Sequence, residues 1–498
     1  MWMIPAIIMH VSSAAIAQTP GSASLPSPPA LTEKTAEPDQ DPPKSLTERI
    51  DAVESENEFL KRELESLKHK SSEKPKSDPL SMMGKWKNGL EFESVDKRFR
   101  VHIGGRTQFD GVWIQDTENL TGAGGVLDED AVDFRRARLR ADGTLFEFID
   151  YAAEFDFVNS VNDNVGLQPA SEANVTHVPA PTDLWFDFKD IPWVGHVRIG
   201  NMKEPIGMEH STSSRYLEFL ERTYIQDAFT GAFNNGFTPG IMLHDTWAGE
   251  NGTWATGFYK NTTNAFAYNV GDGEYAWTSR LTYLLWCEED DRDLLHLGIA
   301  GSIRQPDNNQ LRYRSRLALR NGPGSLNPLG ADTGTFSSTQ QELLGGEVAW
   351  NRGPLSIQAE YMGAWNRDSV GNFGALAGVP LGTTFVYGWY TEALYFLTGE
   401  HRPYDHKHGA FTRIVPDENF DLHGGPGAWQ VGARYSQLNL EGDGLEGGIV
   451  EDVTLGLNWF LNPNMKFQWN YVCTFRDSFR SDVDGRIHGF GMRLAHDF

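Results

Sequence analysis

The sequence contains no apolar run long enough to form a membrane-spanning helix, although 39% of its 498 residues are hydrophobic. A helix needs about 20 consecutive, mainly apolar residues to cross a bilayer. This absence excludes a helical membrane protein. A β-barrel remains open, because its strands alternate apolar and polar residues and therefore build no long apolar run.

Cysteine and positive charge are also scarce. The chain has two cysteines. Cys287 lies in a charged turn and Cys473 on an apolar face, so we expect neither a disulfide nor a metal site based on cysteine. The net charge of −25 argues against a nucleic-acid-binding protein, which needs basic side chains to contact phosphates.

Recognisable catalytic motifs are missing as well. The sequence has no nucleophile elbow and no glycine-rich phosphate loop, and nothing marks the Ser/His pair that a barrel lipase needs. We therefore expect no enzymatic activity and no cofactor. Four histidines at positions 401, 406, 408 and 423 could bind a metal, but a solvated turn is the simpler interpretation.

The amino-terminal residues lack the basic part of an export signal and keep its other parts. Met1–Val11 is mostly apolar, and Ala15-Ile16-Ala17 forms an A-x-A cleavage pattern. No Lys or Arg occurs before Lys34. We predict a signal peptide at 1–17, with an apolar tail as the alternative.

Residues 45–70 carry a heptad repeat between two predicted linkers, 18–44 and 71–87. The repeat predicts a parallel coiled coil, because the charges at g and at e′ of a parallel partner are opposite. A single amphipathic helix packed on its own chain is the alternative. The a and d positions are Leu46, Ile50, Val53, Asn57, Leu60, Leu64 and Leu67. The charge pairs are Arg49 with Glu54, Glu56 with Lys61, and Glu63 with Lys68.

From residue 88 onward the sequence alternates in long segments. Between Asn464 and Arg476, successive side chains are alternately apolar and mostly polar over thirteen residues. Strands of soluble sandwiches are usually shorter, whereas a tilted strand that crosses a bilayer needs roughly 9–11 residues. The apolar face consists of Met465, Phe467, Trp469, Tyr471, Cys473 and Phe475.

This alternation recurs sixteen times, which predicts an all-β fold: a 16-stranded antiparallel transmembrane β-barrel at 88–498, with an N-terminal coiled-coil helix. Short and long connectors alternate, and Gly399–Pro426 is an exception, since it is long on the side of the short turns. The last strand ends at Phe498, as is usual for closing strands of such barrels. We predict strands at 99–115, 131–143, 145–159, 182–190, 194–202, 236–246, 252–261, 275–286, 294–304, 340–352, 354–366, 382–398, 427–440, 448–462, 464–476 and 485–498.

The polar faces of these strands are predicted to line the lumen, and they are rich in arginine. On the second strand Arg136, Arg138 and Arg140 share the inner face, where three guanidinium groups repel one another unless anions or carboxylates lie between them. Either an anion site or a salt-bridge network with acids such as Asp187 and Asp452 explains them, and both can hold.

A second arginine set lies in a long connector. Arg312, Arg314 and Arg316 share one face if this stretch is extended, and in a connector folded into the lumen they would form a track for anions. A solvated outer loop that binds surface polysaccharide is the alternative.

Several motifs then resemble one known family, the phosphate-selective porins O and P. The resemblance covers about residues 88–498, with the motifs in the expected order. They are Phe134-Arg135-Arg136-Ala137-Arg138, Gly200-Asn201-Met202-Lys203-Glu204-Pro205, the Arg-x-Arg-x-Arg stretch at 312–316, Gly388-Trp389-Tyr390, Phe396-Leu397-Thr398-Gly399-Glu400 and Arg402-Pro403-Tyr404.

The resemblance implies a trimeric porin of the outer membrane whose constriction is shaped by connectors folded inward, including a long periplasmic turn that matches Gly399–Pro426. It also implies that Lys203 begins the constriction loop and that residues 312–316 form an arginine ladder. We expect passive diffusion of small anions of the phosphate type. The predicted anion-binding residues are Arg106, Arg136, Arg138, Arg140, Arg198, Lys203, Arg312, Arg314, Arg316 and Arg434.

The expected partners are small anions, outer-membrane lipid and two further copies of the chain in a homotrimer, with no nucleic acid. The coiled coil is expected in the periplasm, where it could contact the cell wall. Two other functions remain open: a structural tether of the outer membrane with an incidental pore, and a channel specific for a sugar or an organic acid.

Overall fold

The structure, a computed structural model, describes residues 45–72, 79–116, 129–158, 179–230, 236–260, 275–288, 290–320, 329–477 and 485–498. The chain divides into two units, Met1–Lys76 and Ser77–Phe498. The predicted signal peptide at 1–17 and the linker at 18–44 lie outside the described residues. Within those described, we find no helix that is long and apolar enough to cross a membrane.

The first unit contains helix α1, Leu46–Ser72. Its sequence is rich in Glu, Lys, Leu and Arg and contains neither Gly nor Pro, which favours a helix. At the a and d positions Ile50, Val53, Leu60 and Leu64 are all at least 50% exposed. The helix therefore carries an exposed apolar stripe, and the coiled coil stays a prediction.

The second unit contains an antiparallel barrel of sixteen long strands within the described residues. Each strand pairs with the next, and the last pairs with the first, where Arg493 lies opposite Asp110. The strands are β1 Phe99–Asp116, β2 Glu129–Leu145, β3 Ile149–Asp156, β4 Ala180–Ile191, β5 Gly195–Lys203, β6 Phe237–Trp247, β7 Gly252–Lys260, β8 Tyr275–Cys287, β9 Asp293–Arg304, β10 Gln340–Arg352, β11 Leu355–Val370, β12 Pro380–Phe396, β13 Ala428–Gly442, β14 Leu445–Asn462, β15 Met465–Asp477 and β16 Gly485–Asp497.

The sixteen strands predicted from alternation are confirmed, with ends that differ by a few residues. The outer face is apolar, as expected for a surface in contact with lipid. Exposed apolar residues on this face include Phe109, Trp113, Leu139, Phe186, Trp277 and Ile299.

A short hairpin precedes the barrel and was not among the predicted strands. Met82–Trp86 pairs with Leu90–Ser94, and the second of these strands pairs with the start of β1. The first strand lies within the range predicted as the 71–87 linker. Five residues give too few alternations to distinguish such a strand from a loop.

Three long connectors fold into the barrel with the parts that the structure describes, which for the first two exclude residues 231–235 and 321–328. We call them connector A (residues 204–236, between β5 and β6), connector B (305–339, between β9 and β10) and connector C (397–427, between β12 and β13). Tyr224 and Ile225 of connector A pack with Tyr313 of connector B and with Val386 and Tyr390 of the wall. Connector B contains the short strands Gln310–Leu311, Arg314–Arg316, Leu329–Asp332 and Phe336–Ser337, and connector C contains Tyr404–Asp405 and Ala410–Phe411.

Glycines on the inner wall provide the space for these connectors. A Cβ atom at Gly491 would lie 2.8 Å from the Leu220 side chain and 2.9 Å from that of Leu319, and one at Gly388 would lie 2.6 Å from Ile225. A larger residue at either position would displace a connector. The shape of the inner wall therefore matches the parts of connectors A and B that pack against it.

Candidate anion-binding site

The inner face of β1 holds polar side chains, and its outer face holds apolar ones. Arg106, Gln108 and Asp110 are buried, whereas Phe109 and Trp113 are exposed. This alternation follows from the strand geometry, because successive side chains point to opposite faces. It places Arg106 in the lumen, within reach of connector A.

A bulge in β2 turns two consecutive arginines inward. Gln108 lies opposite Arg136 and Phe109 opposite Phe134, so Arg135 is left without a partner on β1. A bulge lets two neighbouring residues oppose one on the paired strand, and here both Arg135 and Arg136 are buried. Strict alternation would point Arg135 outward and Phe134 inward, and this mismatch is the signal by which the bulge could have been found.

Connector A is held to the inner wall by its own acidic residues. Arg135 donates to both oxygens of Glu221, at 2.7 and 3.1 Å, and Arg493 of β16 reaches the same carboxylate at 3.2 Å. Arg402 of connector C binds Glu218 at 2.6 and 2.9 Å. These carboxylates are the functional partners that the sequence reasoning missed. The available signal was the number of acidic residues in one long connector, at positions 204, 209, 218, 221 and 227.

Arg136 and Arg434 contact connector A as well. Arg136 donates to Gln108 Oε1 at 2.7 Å and lies 3.6 Å from Glu221. Arg434 donates to the backbone carbonyl of Glu221 at 3.0 Å and lies 3.7 Å from Glu209. Both guanidinium groups therefore help to hold connector A against the wall.

The arginine track of connector B lies inside the barrel, with two of its members in carboxylate ion pairs. Arg312 binds both oxygens of Asp332. Arg316 binds both oxygens of Asp227 in connector A, at 3.0 and 2.7 Å. Arg314 is buried. The three arginines are not part of the lining of the cavity described next.

A cavity of about 240 Å³ lies between the inner wall and connectors A and C. Its lining includes Ser211, Ser213 and Ser214 and the histidines His244 and His408. The acidic residues in the lining are Asp183, Glu204 and Asp245. The basic residues are Arg106, Arg138, Arg140, Arg198, Lys203, Arg222, Arg280 and Lys407. Cations therefore outnumber carboxylates on this surface, although the whole chain is strongly acidic.

Five of these arginines form an ion pair with a carboxylate of a barrel strand. The pairs are Arg106 with Glu154 (2.7 Å), Arg138 with Asp156 (2.7 Å), Arg140 with Asp183 (2.8 Å), Arg198 with Asp187 (2.7 Å) and Arg280 with Glu347 (2.6 Å). A paired guanidinium group still has further N–H donors that can bind an anion.

Lys203 and Arg222 are held differently, by backbone carbonyl groups. Lys203 Nζ donates to the carbonyls of His210 (2.5 Å) and Thr212 (3.2 Å). Arg222 donates to those of Glu209 (3.0 Å) and Thr212 (2.7 Å). Among the described residues, neither forms an ion pair with a carboxylate. Two cations thus converge on the Thr212 oxygen, whose partial charge cannot neutralise them.

The structure therefore separates the predicted site residues into two groups. Arg106, Arg138, Arg140, Arg198 and Lys203 line the cavity, and Arg136, Arg312, Arg314, Arg316 and Arg434 do not. Arg222, Arg280 and Lys407 also line it and were missed, because Arg222 and Lys407 lie in irregular connectors and Arg280 is a single arginine in its strand.

Two of the four histidines of connector C contact different carboxylates. His406 Nε2 lies 2.9 Å from Asp291, and His408 binds Asp405 at 2.7 Å. Two mixed groups of metal-ligand side chains do occur among the described residues. They are Asp187 with His196 and His244, and Cys287 with Asp291 and His406.

Comparison with known proteins gives one family and several barrel structures. The profile of the family described as phosphate-selective porin O and P matches residues 102–498. Porin O of Pseudomonas aeruginosa is 26% identical over 461 residues, which cover 85% of this chain and 94% of that protein. An uncharacterized protein of Caulobacter vibrioides is 26% identical over 441 residues, covering 85% of this chain and 78% of that one.

Two solved structures show the level of structural similarity. The outer membrane channel DcaP of Acinetobacter baumannii has a TM-score of 0.48 at 10% identity, over 82% of this chain and 99% of that one. An anion-selective porin from Comamonas acidovorans has a TM-score of 0.44 at 11% identity, over 80% and 100% of the two chains.

Proposed function

Since the chain belongs to the family of phosphate-selective porins O and P and is an outer-membrane porin, we propose that it passes small anions by passive diffusion and selects them at the basic cavity. The part of this proposal that goes beyond membership of the family is the selection of small anions at this cavity. It rests on the charge of the cavity lining, where eight Lys and Arg residues face three carboxylates.

The observation that carries the proposal is the pair of Lys203 and Arg222. Both cations bind carbonyl oxygens that carry only partial charge. An anion entering the cavity can therefore complete their hydrogen bonds and neutralise their charge. In a confined lumen an ion loses part of its hydration, so a fixed charge a few ångströms away is worth more than the roughly 1 kcal/mol it contributes at 4 Å in bulk water.

The donor set favours an oxyanion with several acceptor oxygens over a halide. Arg106 donates to the hydroxyl groups of Ser213 (3.2 Å) and Ser214 (2.9 Å), so hydroxyl and guanidinium donors lie side by side with the Lys203 and Arg222 pair in the lining. Arginine forks match phosphate and carboxylate groups in geometry. We infer that phosphate-type anions bind there transiently during passage.

Planar-bilayer recording tests this assignment. In Lys203→Gln/Arg222→Gln the chloride-over-potassium permeability ratio should fall severalfold, and block of the chloride current by inorganic phosphate should weaken. Arg312→Gln is the matched control, because Arg312 is paired with Asp332 outside the cavity, and it should leave both readings near the wild-type values.

Three results would contradict the proposal. An unchanged ratio in the double variant would remove the cavity as the selectivity site. A wild-type pore without phosphate block would favour a sugar or organic-acid channel. A barrel that conducts no ions would favour a structural tether, for which the exposed stripe of α1 provides the supporting observation.

We further propose that α1 forms a parallel coiled coil with the helices of other copies in a homotrimer, on the periplasmic side, where it could contact the cell wall. The domain ranges expected from the sequence (signal peptide 1–17, linkers 18–44 and 71–87, coiled coil 45–70, barrel 88–498) are part of this proposal. The exposed stripe is apolar except for Asn57. Asn at an a position commonly specifies dimers, so the trimer needs a direct test.

Analytical ultracentrifugation of the whole protein in detergent and of the 45–70 peptide tests the assembly. We expect a trimeric whole protein and weak self-association of the peptide, since three heptads are short. A monomeric whole protein would exclude the trimer. A trimer that survives Leu60→Ser/Leu64→Ser unchanged would remove the coiled coil as its cause.

A further inference from the structure

A group of three metal-ligand side chains lies where connector C meets the turn between β8 and β9. Cys287 is the last residue of β8, Asp291 belongs to the turn that follows it, and His406 belongs to connector C. Their ligand atoms all lie within 4.8 Å of one another. The Asp291 Oδ1 atom is 3.2 Å from Cys287 Sγ and 2.9 Å from His406 Nε2.

We propose that these residues form a binding site for a soft divalent cation, with zinc as the fitting ion. Thiolate, imidazole and carboxylate are the three ligand types of zinc sites, at about 2.3, 2.0 and 2.1 Å from the metal. Ligands around a tetrahedral ion of this size are roughly 3.4 Å apart. The two distances to Asp291 Oδ1, 3.2 and 2.9 Å, therefore need to change by only about half an ångström. The fourth position stays open to water.

The orientation of His406 supports a metal site more directly than the proximity does. Its Nδ1 atom is 3.1 Å from the backbone carbonyl of Glu250. A carbonyl can only accept, so this hydrogen bond requires a proton on Nδ1. In the neutral ring Nε2, which faces Asp291 at 2.9 Å, is then the nitrogen available to a metal ion. A histidine ligand whose second nitrogen donates to a carbonyl is the usual arrangement around a protein-bound metal.

The local charge also suits a cation. A thiolate and a carboxylate together neutralise a divalent ion, and Glu288 and Asp290 add negative charge in the same turn. The nearby Arg292 is directed away from the ligands, since it donates to the Gly399 carbonyl at 3.1 Å. Thiolate ligands favour zinc over magnesium and calcium.

The second mixed group is a weaker candidate. Asp187, His196 and His244 also converge, but Arg198 binds Asp187 at 2.7 Å. A guanidinium group in that position repels a metal ion and already occupies the carboxylate. No such cation pairs with Asp291 among the described residues.

Binding would exchange protons for metal. The Cys287 thiol loses its proton to solvent as the sulfur–zinc bond forms, and the neutral imidazole of His406 supplies its Nε2 lone pair. No oxidant or reductant takes part. Zinc affinity should therefore decrease as the pH is lowered, because protons compete for the same ligand atoms.

Metal analysis of the purified full-length protein in detergent tests the site. After treatment with EDTA and addition of zinc chloride, the wild type should retain stoichiometric zinc on dialysis. Cys287→Ser and His406→Gln should each weaken binding at least tenfold, by analogy with the roughly 10- to 100-fold effects seen even for residues that only support metal ligands. Cys473→Ser and His408→Gln are the matched controls and should bind as the wild type does.

Two further readings keep the test decisive. Cobalt added to the wild type and to Cys473→Ser should give a thiolate-to-metal charge-transfer band that Cys287→Ser lacks. In the wild type alone, zinc should slow alkylation of Cys287 but not of Cys473. The proposal would be overturned if the wild type retained no zinc, if Cys287→Ser and His406→Gln bound zinc as tightly as the wild type, or if zinc left the alkylation rate of Cys287 unchanged. Loss of zinc only in His244→Gln would also overturn it.

Discussion

At the scale of single residues, Glu221 shows how much depends on one carboxylate of connector A. It contacts Arg135 of β2, Arg320 of connector B and Arg493 of β16, at 2.7, 3.2 and 3.2 Å. Each of these arginines is buried. Arg320 and Arg493 also bind Asp227 and Asp110, but among the described residues Arg135 pairs with Glu221 alone. Removing the negative charge would leave this buried cation without a carboxylate partner, which costs more than the loss of an ordinary hydrogen bond.

We expect Glu221→Gln to lower the free energy of unfolding by roughly 3–5 kcal/mol, the range for breaking a buried ion pair on one side. Heat-modifiable gel migration and urea unfolding in detergent measure the change. Glu342→Gln serves as the control, because its partner Arg367 is exposed, and it should cost no more than about 1 kcal/mol. Equal effects of the two substitutions would show that Glu221 does not fix connector A.

The pH range over which connector A stays in place follows from the pKa of Asp227. Burial alone would raise this pKa, but Arg316 and Arg320 outweigh burial and hold it well below its usual value of 3.8. A carboxyl group with a lowered pKa stabilises the folded state above its unfolded pKa, and this contribution is lost as the pH falls through the folded pKa. Amide exchange in residues 204–230, corrected for intrinsic rates, should therefore not change between about pH 8 and pH 5.

One result would contradict the prediction that amide exchange in connector A stays constant. A cooperative loss of protection in connector A between pH 7 and pH 5 would mean that another titrating group controls its attachment, and not the carboxylate–arginine pairs. A histidine or the wall residue Glu360, which accepts from the Met208 and Glu209 N–H groups, could be that group. Asp227→Asn should then have little effect, whereas we expect it to raise exchange at every pH.

At the scale of elements, the fit between connectors and wall depends on glycine. Gly491→Leu should overpack the contact with Leu220 and Leu319, and overpacking costs typically about 1–3 kcal/mol. We expect a lower unfolding temperature. We also expect larger current fluctuations in bilayer recordings, because connectors A and B lose their packing contact with the wall. Gly346→Leu is the control: nothing lies within 4 Å of a Cβ atom there, and both readings should stay as in the wild type.

The strands could be predicted from the sequence because residues along a barrel strand face the lipid and the lumen in turn. The resulting two-residue period of apolar and polar side chains is visible in the sequence itself. Met465–Asp477 needed no tertiary information, since its two faces meet different solvents. The connectors have no such period. Arg316 looks identical to a pore residue in the sequence, and only the position of Asp227, 89 residues away, shows that its charge is paired.

The cavity residues were partly predictable for the same reason. Arg138 and Arg140 follow the alternation of β2 and were found. Arg222 lies in irregular backbone, where the direction of a side chain depends on packing against distant strands. The bulge at Arg135 lies between these cases, because a local break in the pattern marks it but does not say which residue is displaced.

At the scale of the whole molecule, the chain combines a net charge of −25 with a basic cavity. The acidic residues that face inward are largely bound to arginines, as in Glu154 with Arg106 and Glu347 with Arg280. Net charge therefore says little about ion preference, since the ion senses the few charges that remain uncompensated along its path. Ion selectivity therefore depends on where the uncompensated charges lie, and not on their sum over the chain.

The contacts of Glu221 also link the attachment of connector A to the closure of the barrel. Its arginine partners lie 86, 99 and 272 residues away in the sequence, and the most distant, Arg493, belongs to the final strand. Pairings between such distant residues slow folding. A chain that lacks β16 lacks both the strand that pairs with β1 and one of the arginines that bind Glu221.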